Sequence, residues 1–127
     1  MNDLIFKKYY GNIKEFPPLN NEMDIPFLPT ELLEILKRSN GIMETMQNPM
    51  NDETIDIGWI IYPSSENMSA TSFYKKTYGI EGTVFSDDGA GNPYYIKKDG
   101  RIYQFECVGN EEQKVAESLD HFFREVT

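Results

Sequence analysis

The segment 85–103 constrains the fold of this chain more than any other. It joins a polar glycine-rich loop to a strand, a tight turn and a second strand. The pair Asp99-Gly100 favours a two-residue hairpin turn, which would fix the register of the strands on either side. The predicted cross-strand pairs are Ile96 with Tyr103 and Tyr94 with Phe105. One face of the hairpin then carries Tyr94, Ile96, Tyr103 and Phe105, and the other carries Tyr95, Lys97, Ile102 and Gln104.

The remaining patterns predict helices at both ends of a region of strands. A helix over residues 29–39 is indicated by Leu32, Leu33 and Leu36, and strands are indicated over 55–61 and 83–85. A short helix is predicted over 69–78, and 42–54 is interpreted as a long loop. A closing helix capped by Asn110 has apolar residues at helical spacing, which are Val115, Leu119, Phe122 and Val126. This order of elements is typical of an α+β fold.

Composition and charge narrow the classes of partner. The formal net charge is -9, so we expect neither nucleic acid nor an anionic membrane surface to bind. A basic protein would instead be attracted and steered. One cysteine excludes an internal disulfide, and neither a membrane-spanning run nor a signal-peptide pattern is evident. We therefore expect a cytoplasmic protein.

The sequence indicates no catalytic centre and no metal site. A lone cysteine, Cys107, and a lone histidine, His121, are too few for a typical zinc site. Asp87, Asp88 and Asn92 could ligate a hard cation, but the calcium-loop pattern places Lys98 or Pro93 at positions that require glutamate or glycine. We expect a structural turn there, no enzymatic activity and no cofactor.

Four segments together resemble the SMI1/KNR4 family, also called the SUKH superfamily. They are Gly89-Ala90-Gly91-Asn92 before an aromatic strand and an Asp-Gly turn, the run 28–36 ending in Asn40-Gly41, the run 59–66, and the run 116–123. The resemblance implies one α+β domain over residues 1–127, with an antiparallel-dominated sheet and helices packed against it. Residues 1–27 match weakly and form a lead-in.

The resemblance also implies a function. Many small members look like bacterial immunity proteins that bind and neutralise a cognate secreted toxin domain, often a nuclease. The alternative is an intracellular regulatory or scaffold module, because eukaryotic relatives are linked to control of cell-wall synthesis. A third reading is a small-ligand site in the loop 87–92.

Two groups of residues are candidates for contact with a protein partner. The loop and its neighbouring hairpin offer acidic, amide and aromatic groups, and the predicted methionine loop offers flexible apolar contacts. The candidates are Asp87, Asp88, Asn92, Tyr95, Gln104, Met43, Met46 and Met50. For the methionines, packing on the core and contact with a partner are equally compatible with the pattern. Tyr94 is expected in the core, whereas Tyr95 and Gln104 are better placed for a partner if no helix covers their face.

Overall fold

The computed structural model describes residues 13–18 and 28–125, which form an α+β fold. In these ranges the chain has three helices and seven strands. Their bounds are β1 Ile13–Glu15, α1 Thr30–Arg38, β2 Ile42–Gln47, β3 Thr54–Ile61, α2 Ser64–Tyr78, β4 Thr83–Asp87, β5 Pro93–Ile96, β6 Ile102–Glu106, β7 Glu111–Ala116 and α3 Leu119–Glu125. The α+β class predicted from the sequence is therefore confirmed.

The strands form two antiparallel sheets that follow the chain order. One sheet has the order β1-β2-β3 and the other β4-β5-β6-β7. A backbone hydrogen bond of 2.8 Å from Tyr62 N–H to the Phe85 carbonyl connects the end of the first sheet to β4. Apart from β1 and β2, which lie on either side of α1 in the sequence, the paired strands follow each other after short turns, as antiparallel pairing allows.

Helices cover both faces of the second sheet. Residues of α1 and α3 share one apolar cluster with Phe85 and Ile96. Residues of α2 pack against a second cluster that contains Val84 and Tyr95. Neighbouring residues on β4 and on β5 thus enter different clusters, as the two-residue period of a strand requires. This burial on both faces explains why neighbouring apolar residues, Val84 with Phe85 and Tyr95 with Ile96, are all buried.

The hairpin register predicted from Asp99-Gly100 is wrong by one residue. Ile96 pairs with Ile102, and Tyr95 pairs with Tyr103. The Gly100 N–H donates to the Lys97 carbonyl at 2.9 Å, and Gly100 has φ of 83°. Gly100 is therefore the last residue of a four-residue turn that starts at Lys97, and the loop between the strands has three residues, 98–100, which the same dipeptide also permits.

Two further predictions are corrected by the strands. The segment 42–54 is not a long loop, because Ile42–Gln47 is a strand paired with β3. The closing helix does not start at Asn110, because Glu111–Ala116 is the edge strand of the second sheet. Ser118 caps the helix instead: its Oγ accepts from the His121 N–H at 3.1 Å.

Other predictions stand or need only new bounds. The helix over 29–39 and the strands over 55–61 and 83–85 are confirmed, whereas α2 starts five residues earlier than the predicted 69–78. Pro63 precedes α2, where a proline with fixed φ favours the start of a helix. Most of the proposed lead-in 1–27 and Val126 lie outside the described residues, but 13–15 within the lead-in form β1.

Candidate protein-binding surface

The loop 87–92 is built around the carboxylate of Asp88. Its Oδ1 accepts from the backbone N–H groups of Ala90 at 2.8 Å and Asn92 at 3.1 Å. Its Oδ2 accepts from Asn92 Nδ2 at 3.0 Å and from Gln104 Nε2 at 3.1 Å. Burial alone would raise the pKa of Asp88, but the hydrogen bonds from Asn92 and Ala90 outweigh it, so its pKa is lowered. The structure thus brings three predicted site residues together, because Asn92 and Gln104 both donate hydrogen bonds to Asp88.

Asp87 is likewise engaged within the fold. Its Oδ1 accepts from the Gly89 N–H at 2.7 Å, and its Oδ2 accepts from the Tyr62 hydroxyl at 2.5 Å. Burial and the bond to Asp87 raise the pKa of Tyr62. Asn92 Oδ1 accepts from the Cys107 N–H at 3.0 Å. The polar groups of the loop are thus bonded within the loop and to Tyr62, Gln104 and Cys107 beside it. In residues 13–18 and 28–125 no group of three acidic, histidine or cysteine side chains could hold a metal ion.

Tyr95 does not offer a surface to a partner, which corrects the prediction for this residue. Its side chain is fully buried in the cluster beneath α2, because a helix covers the face on which it lies. Its hydroxyl donates to Glu112 Oε1 at 2.5 Å, and Lys97 Nζ donates to Glu112 Oε2 at 2.9 Å. Burial and the bond to Glu112 raise the pKa of Tyr95. Tyr94 is partly buried against the other cluster, as expected for a residue near the core.

The predicted methionines are separated by the hairpin of β2 and β3. Met43 is half-buried and pairs with Trp59, whereas Met46 is 48 % exposed and pairs with Ile55, itself 43 % exposed. Met50, in the turn, is 88 % exposed. We define the hairpin surface as Met46, Met50, Ile55 and the exposed acidic residues Asp52 and Glu53.

The turn that carries Met50 is ordered by its own side chains. Asn48 Oδ1 accepts from the Met50 N–H at 2.9 Å, and Asn51 Oδ1 accepts from the Glu53 N–H at 3.1 Å. Gln47 Nε2 donates to the Asp52 carbonyl at 3.0 Å, and Asp52 has φ of 61°, which Asp tolerates. Because the backbone is held, a partner would meet the apolar side chains at little cost in loop ordering.

The charge around the hairpin surface is negative. Asp52, Glu53 and Asp56 are exposed on the hairpin, and Lys14 on β1 lies 3.9 Å from Asp56. Among the residues that the structure describes, the tip thus carries more acidic than basic side chains, so a basic partner is favoured there. The exposed apolar side chains supply contact area, and the acids supply orientation.

Sequence reasoning missed Ile55 as a surface residue. It alternates with Ile57 and Trp59 in an apolar strand, a pattern that indicates a buried face. The position of Ile55 could have indicated its exposure, because it lies at the start of the strand, directly after the acidic turn. In the described parts of the chain no helix is long and apolar enough to cross a membrane.

Comparison with known proteins identifies a family for most of the chain. No curated protein and no solved structure matches it significantly. The model of the SMI1 / KNR4 family (SUKH-1) matches residues 19–125. That range includes the four segments singled out in the sequence, the loop around Asp88 and the hairpin surface. The chain therefore belongs to the SMI1/KNR4 family (SUKH-1).

Proposed function

We propose that this protein is an immunity protein that neutralises a basic toxin domain by direct stoichiometric binding through the hairpin surface. The family is generally one of non-enzymatic binding or immunity modules, which supports a role in protein–protein interaction. The observation that carries the proposal is the ordered hairpin tip, where Met46, Met50 and Ile55 stay exposed beside Asp52 and Glu53.

The negative net charge of this protein favours toxin domains that carry a basic surface. With a formal net charge of -9, the protein attracts domains that carry basic surfaces. Domains that cut nucleic acid must bind a phosphate backbone and therefore carry such surfaces. An acidic protein seated on that surface would compete with the substrate by charge and by volume. A secreted nuclease domain is thus the partner that this protein fits best.

A regulatory or scaffold module is the second candidate. The same surface of apolar and acidic side chains would serve a resident basic partner equally well. The two functions differ in what the partner does when it is alone: a toxin stops growth, whereas the partner of a scaffold does not. An experiment that separates the two functions must therefore test the activity of the partner, because the surface of this chain suits both.

A growth-rescue assay tests the proposal. The C-terminal domain encoded immediately upstream is expressed in bacteria with and without this protein. We expect growth arrest without it, restored growth with it, and a complex that gel filtration isolates. A domain that arrests growth without rescue, or that is not toxic at all, would contradict the immunity function for this pair and favour the regulatory module.

Substitutions then test the surface. The triple variant M46S/M50S/I55S should weaken binding about tenfold to a hundredfold, because three apolar side chains no longer leave water. V108S is the matched control, since Val108 is 97 % exposed in the turn between β6 and β7. Rescue by wild-type protein with equal binding of both variants would leave the function intact and reject the hairpin surface.

A further inference from the structure

The outer part of the β2–β3 hairpin projects from the rest of the domain. Strand β1 pairs with β2 only as far as Glu44, and Ser86 Oγ on β4 contacts the Trp59 carbonyl of β3 at 3.4 Å. Beyond these two points, residues 46–55 make no hydrogen bond or ion pair with another element in the part of the chain that the structure describes. We call residues 46–55 the arm. At about 3.3 Å per residue, Thr54 lies roughly 15 Å along β3 from Trp59.

The arm is open to solvent and has an ordered end. Every residue of the arm is exposed except Asn48, which is half-buried. Backbone bonds from the Asn48 N–H to the Glu53 carbonyl at 2.8 Å and from the Asp52 N–H to the Asn48 carbonyl at 3.0 Å close the turn. These bonds lie wholly within the arm, as do the side-chain bonds of Asn48 and Asn51. A partner with a concave site would therefore meet a preorganised projection, which lowers the entropic cost of binding.

The two faces of the arm differ in chemistry. Met46 and Ile55 are directly opposite each other on the two strands, so their side chains lie on one face. Gln47 and Thr54 are the next pair, and they make the other face polar. The two acids of the hairpin surface lie in the turn, and the arm contains no Lys, Arg or His. The arm is thus a ribbon with one apolar face, one polar face and an acidic end.

A channel that holds a single nucleic-acid strand is complementary to such a ribbon. Such channels combine cationic side chains, which follow the phosphates, with aromatic side chains, on which the bases stack. The acidic end of the arm suits the cations, and Met46 and Ile55 suit the aromatic rings, with which a methionine sulfur makes favourable contacts. A two-stranded ribbon enters a groove about 12 Å wide in the case of DNA, so the channel does not need to be wider than that.

We propose that the arm enters the substrate channel of a toxin nuclease domain and takes the place of the nucleic-acid strand. This inference rests on the proposed function, since it requires a nuclease toxin that this protein neutralises, and it adds the site on the toxin. Inhibition is then competitive with nucleic acid, because the arm and the substrate exclude each other from one channel. Binding to a surface away from the channel would leave the affinity of the toxin for its substrate unchanged.

Competition tests the site on the toxin. The toxin domain of the growth-rescue assay is purified as a catalytically inactive variant, and its dissociation constant with this protein is measured with and without a short oligonucleotide of the type that the toxin cuts. With the oligonucleotide at about ten times its own dissociation constant, the apparent dissociation constant of the protein complex should rise about tenfold.

The outcomes separate this inference from the proposed function. An unchanged dissociation constant, with growth rescue intact, would overturn the placement of the arm in the channel and leave the immunity function standing. A neutralised toxin that cuts no nucleic acid would do the same. Absence of growth rescue would remove the immunity function and this inference together.

Shortening the arm tests its role in inhibition. Replacement of residues 48–53 by Asn-Gly closes a two-residue turn between Gln47 and Thr54 and removes the acidic end. The inhibition constant for the nuclease should then rise about a hundredfold, whereas V108S, a change in another exposed turn, should inhibit like wild type. Circular dichroism and thermal unfolding verify that both variants are folded. A folded shortened protein that inhibits as strongly as wild type would exclude the arm as the inhibitory element.

Cross-linking locates the arm on the toxin. In a C107S background, M50C and V108C are each labelled with a photoreactive benzophenone. The label on M50C should cross-link to the toxin about tenfold more than the label on V108C, because only the arm reaches into the channel. The oligonucleotide should suppress the M50C cross-link. A cross-link from M50C that the oligonucleotide does not reduce would place the arm outside the channel.

Discussion

At the scale of the residue, the loop before β5 depends on a single carboxylate. Asp88 accepts four hydrogen bonds, two on each oxygen, and one donor is the Gln104 amide on β6. The same carboxylate therefore orders the loop and ties it to the neighbouring strand. The sequence analysis offered this acidic loop as a surface for a partner, whereas in the structure its polar groups are bonded to each other and to neighbouring residues of the domain.

Asp88→Ala should cost about 1–2 kcal/mol in the free energy of unfolding, since four acceptor contacts are lost from a side chain that is still open to water. Asp88→Asn should cost less, because the amide keeps one oxygen for the two backbone donors. Urea unfolding at pH 7 measures both. Equal stability of all three proteins would show that the network contributes nothing.

The same substitution should lose its effect in acid. The pKa of Asp88 is lowered in the folded protein, so its contribution is present above the unfolded pKa of about 4 and is lost as pH falls through the folded pKa. The difference between wild type and Asp88→Ala should therefore shrink as pH falls below about 4. A difference that is constant from pH 7 to pH 2.5 would contradict the assigned role of the ionised form.

The raised pKa of Tyr95 should make stability depend on pH in the alkaline range. Its pKa is raised in the folded protein by burial and by the bond to Glu112, whereas in the unfolded chain it ionises near pH 10. Above about pH 10 the unfolded state loses a proton that the folded state keeps, so stability falls as pH rises, by up to about 1.4 kcal/mol per pH unit. Tyr95→Phe should remove this share of the slope between pH 9 and 11. Parallel slopes for the two proteins would contradict it.

At the scale of the element, the sequence pattern correctly predicted the helices and strands whose formation depends mainly on their own residues. Helix α1 was predictable because its buried residues Leu32, Ile35 and Leu36 follow the helical period, and acidic and basic residues occupy its first and last turns. Strand β3 was predictable because β-branched residues alternate at its start. In both cases the pattern over ten residues is enough to select one structure.

Non-local contacts decided the elements that were missed. The sequence of Glu111–Ala116 suits a helix, but the segment pairs with β6, and Glu112 accepts from Tyr95 and Lys97. Asp99-Gly100 permits two turns that differ by one residue in register, and burial of Ile96 with Ile102 selects between them. The buried position of Tyr95 follows from that register and from the cover given by α2. By contrast, Met46 and Met50 were predictable as surface candidates because a polar, acidic turn surrounds them.

Glycine positions give a prediction at this scale. Gly82 has φ of 153°, and a Cβ there would lie 2.8 Å from the Ile96 carbonyl oxygen, so the backbone just before β4 approaches β5 too closely for a side chain. Gly89 has φ of 83° but open space around a Cβ. Gly82→Ala should cost about 3 kcal/mol or more, and Gly89→Ala about 1 kcal/mol. Similar losses in thermal unfolding would mean that backbone conformation alone, and not close packing, sets the requirement at Gly82.

At the scale of the whole molecule, two kinds of interaction contribute to association with a partner: long-range charge and apolar contact. The hairpin surface combines apolar side chains with Asp52 and Glu53, and a net charge of -9 extends its field beyond the tip. Long-range charge acts on how fast partners meet, whereas buried apolar contacts act on how long they stay together. The proposed function therefore predicts separable effects on the two rate constants.

For a basic toxin domain that this protein neutralises, the association rate constant should fall about tenfold or more between 20 mM and 500 mM salt, because the field is screened within about 10 Å at 0.1 M. D52K/E53K should slow association further than E81K/E111K, a change of equal net charge away from the hairpin, since nearby charges steer most strongly.

The triple variant M46S/M50S/I55S should instead increase the dissociation rate constant and leave the association rate constant nearly unchanged. Stopped-flow or surface-based kinetics resolves both constants. Association that does not change with salt would reject electrostatic steering, and equal effects of the two charge variants would reject the hairpin as the place where the partner docks, because only a local acidic tip distinguishes them.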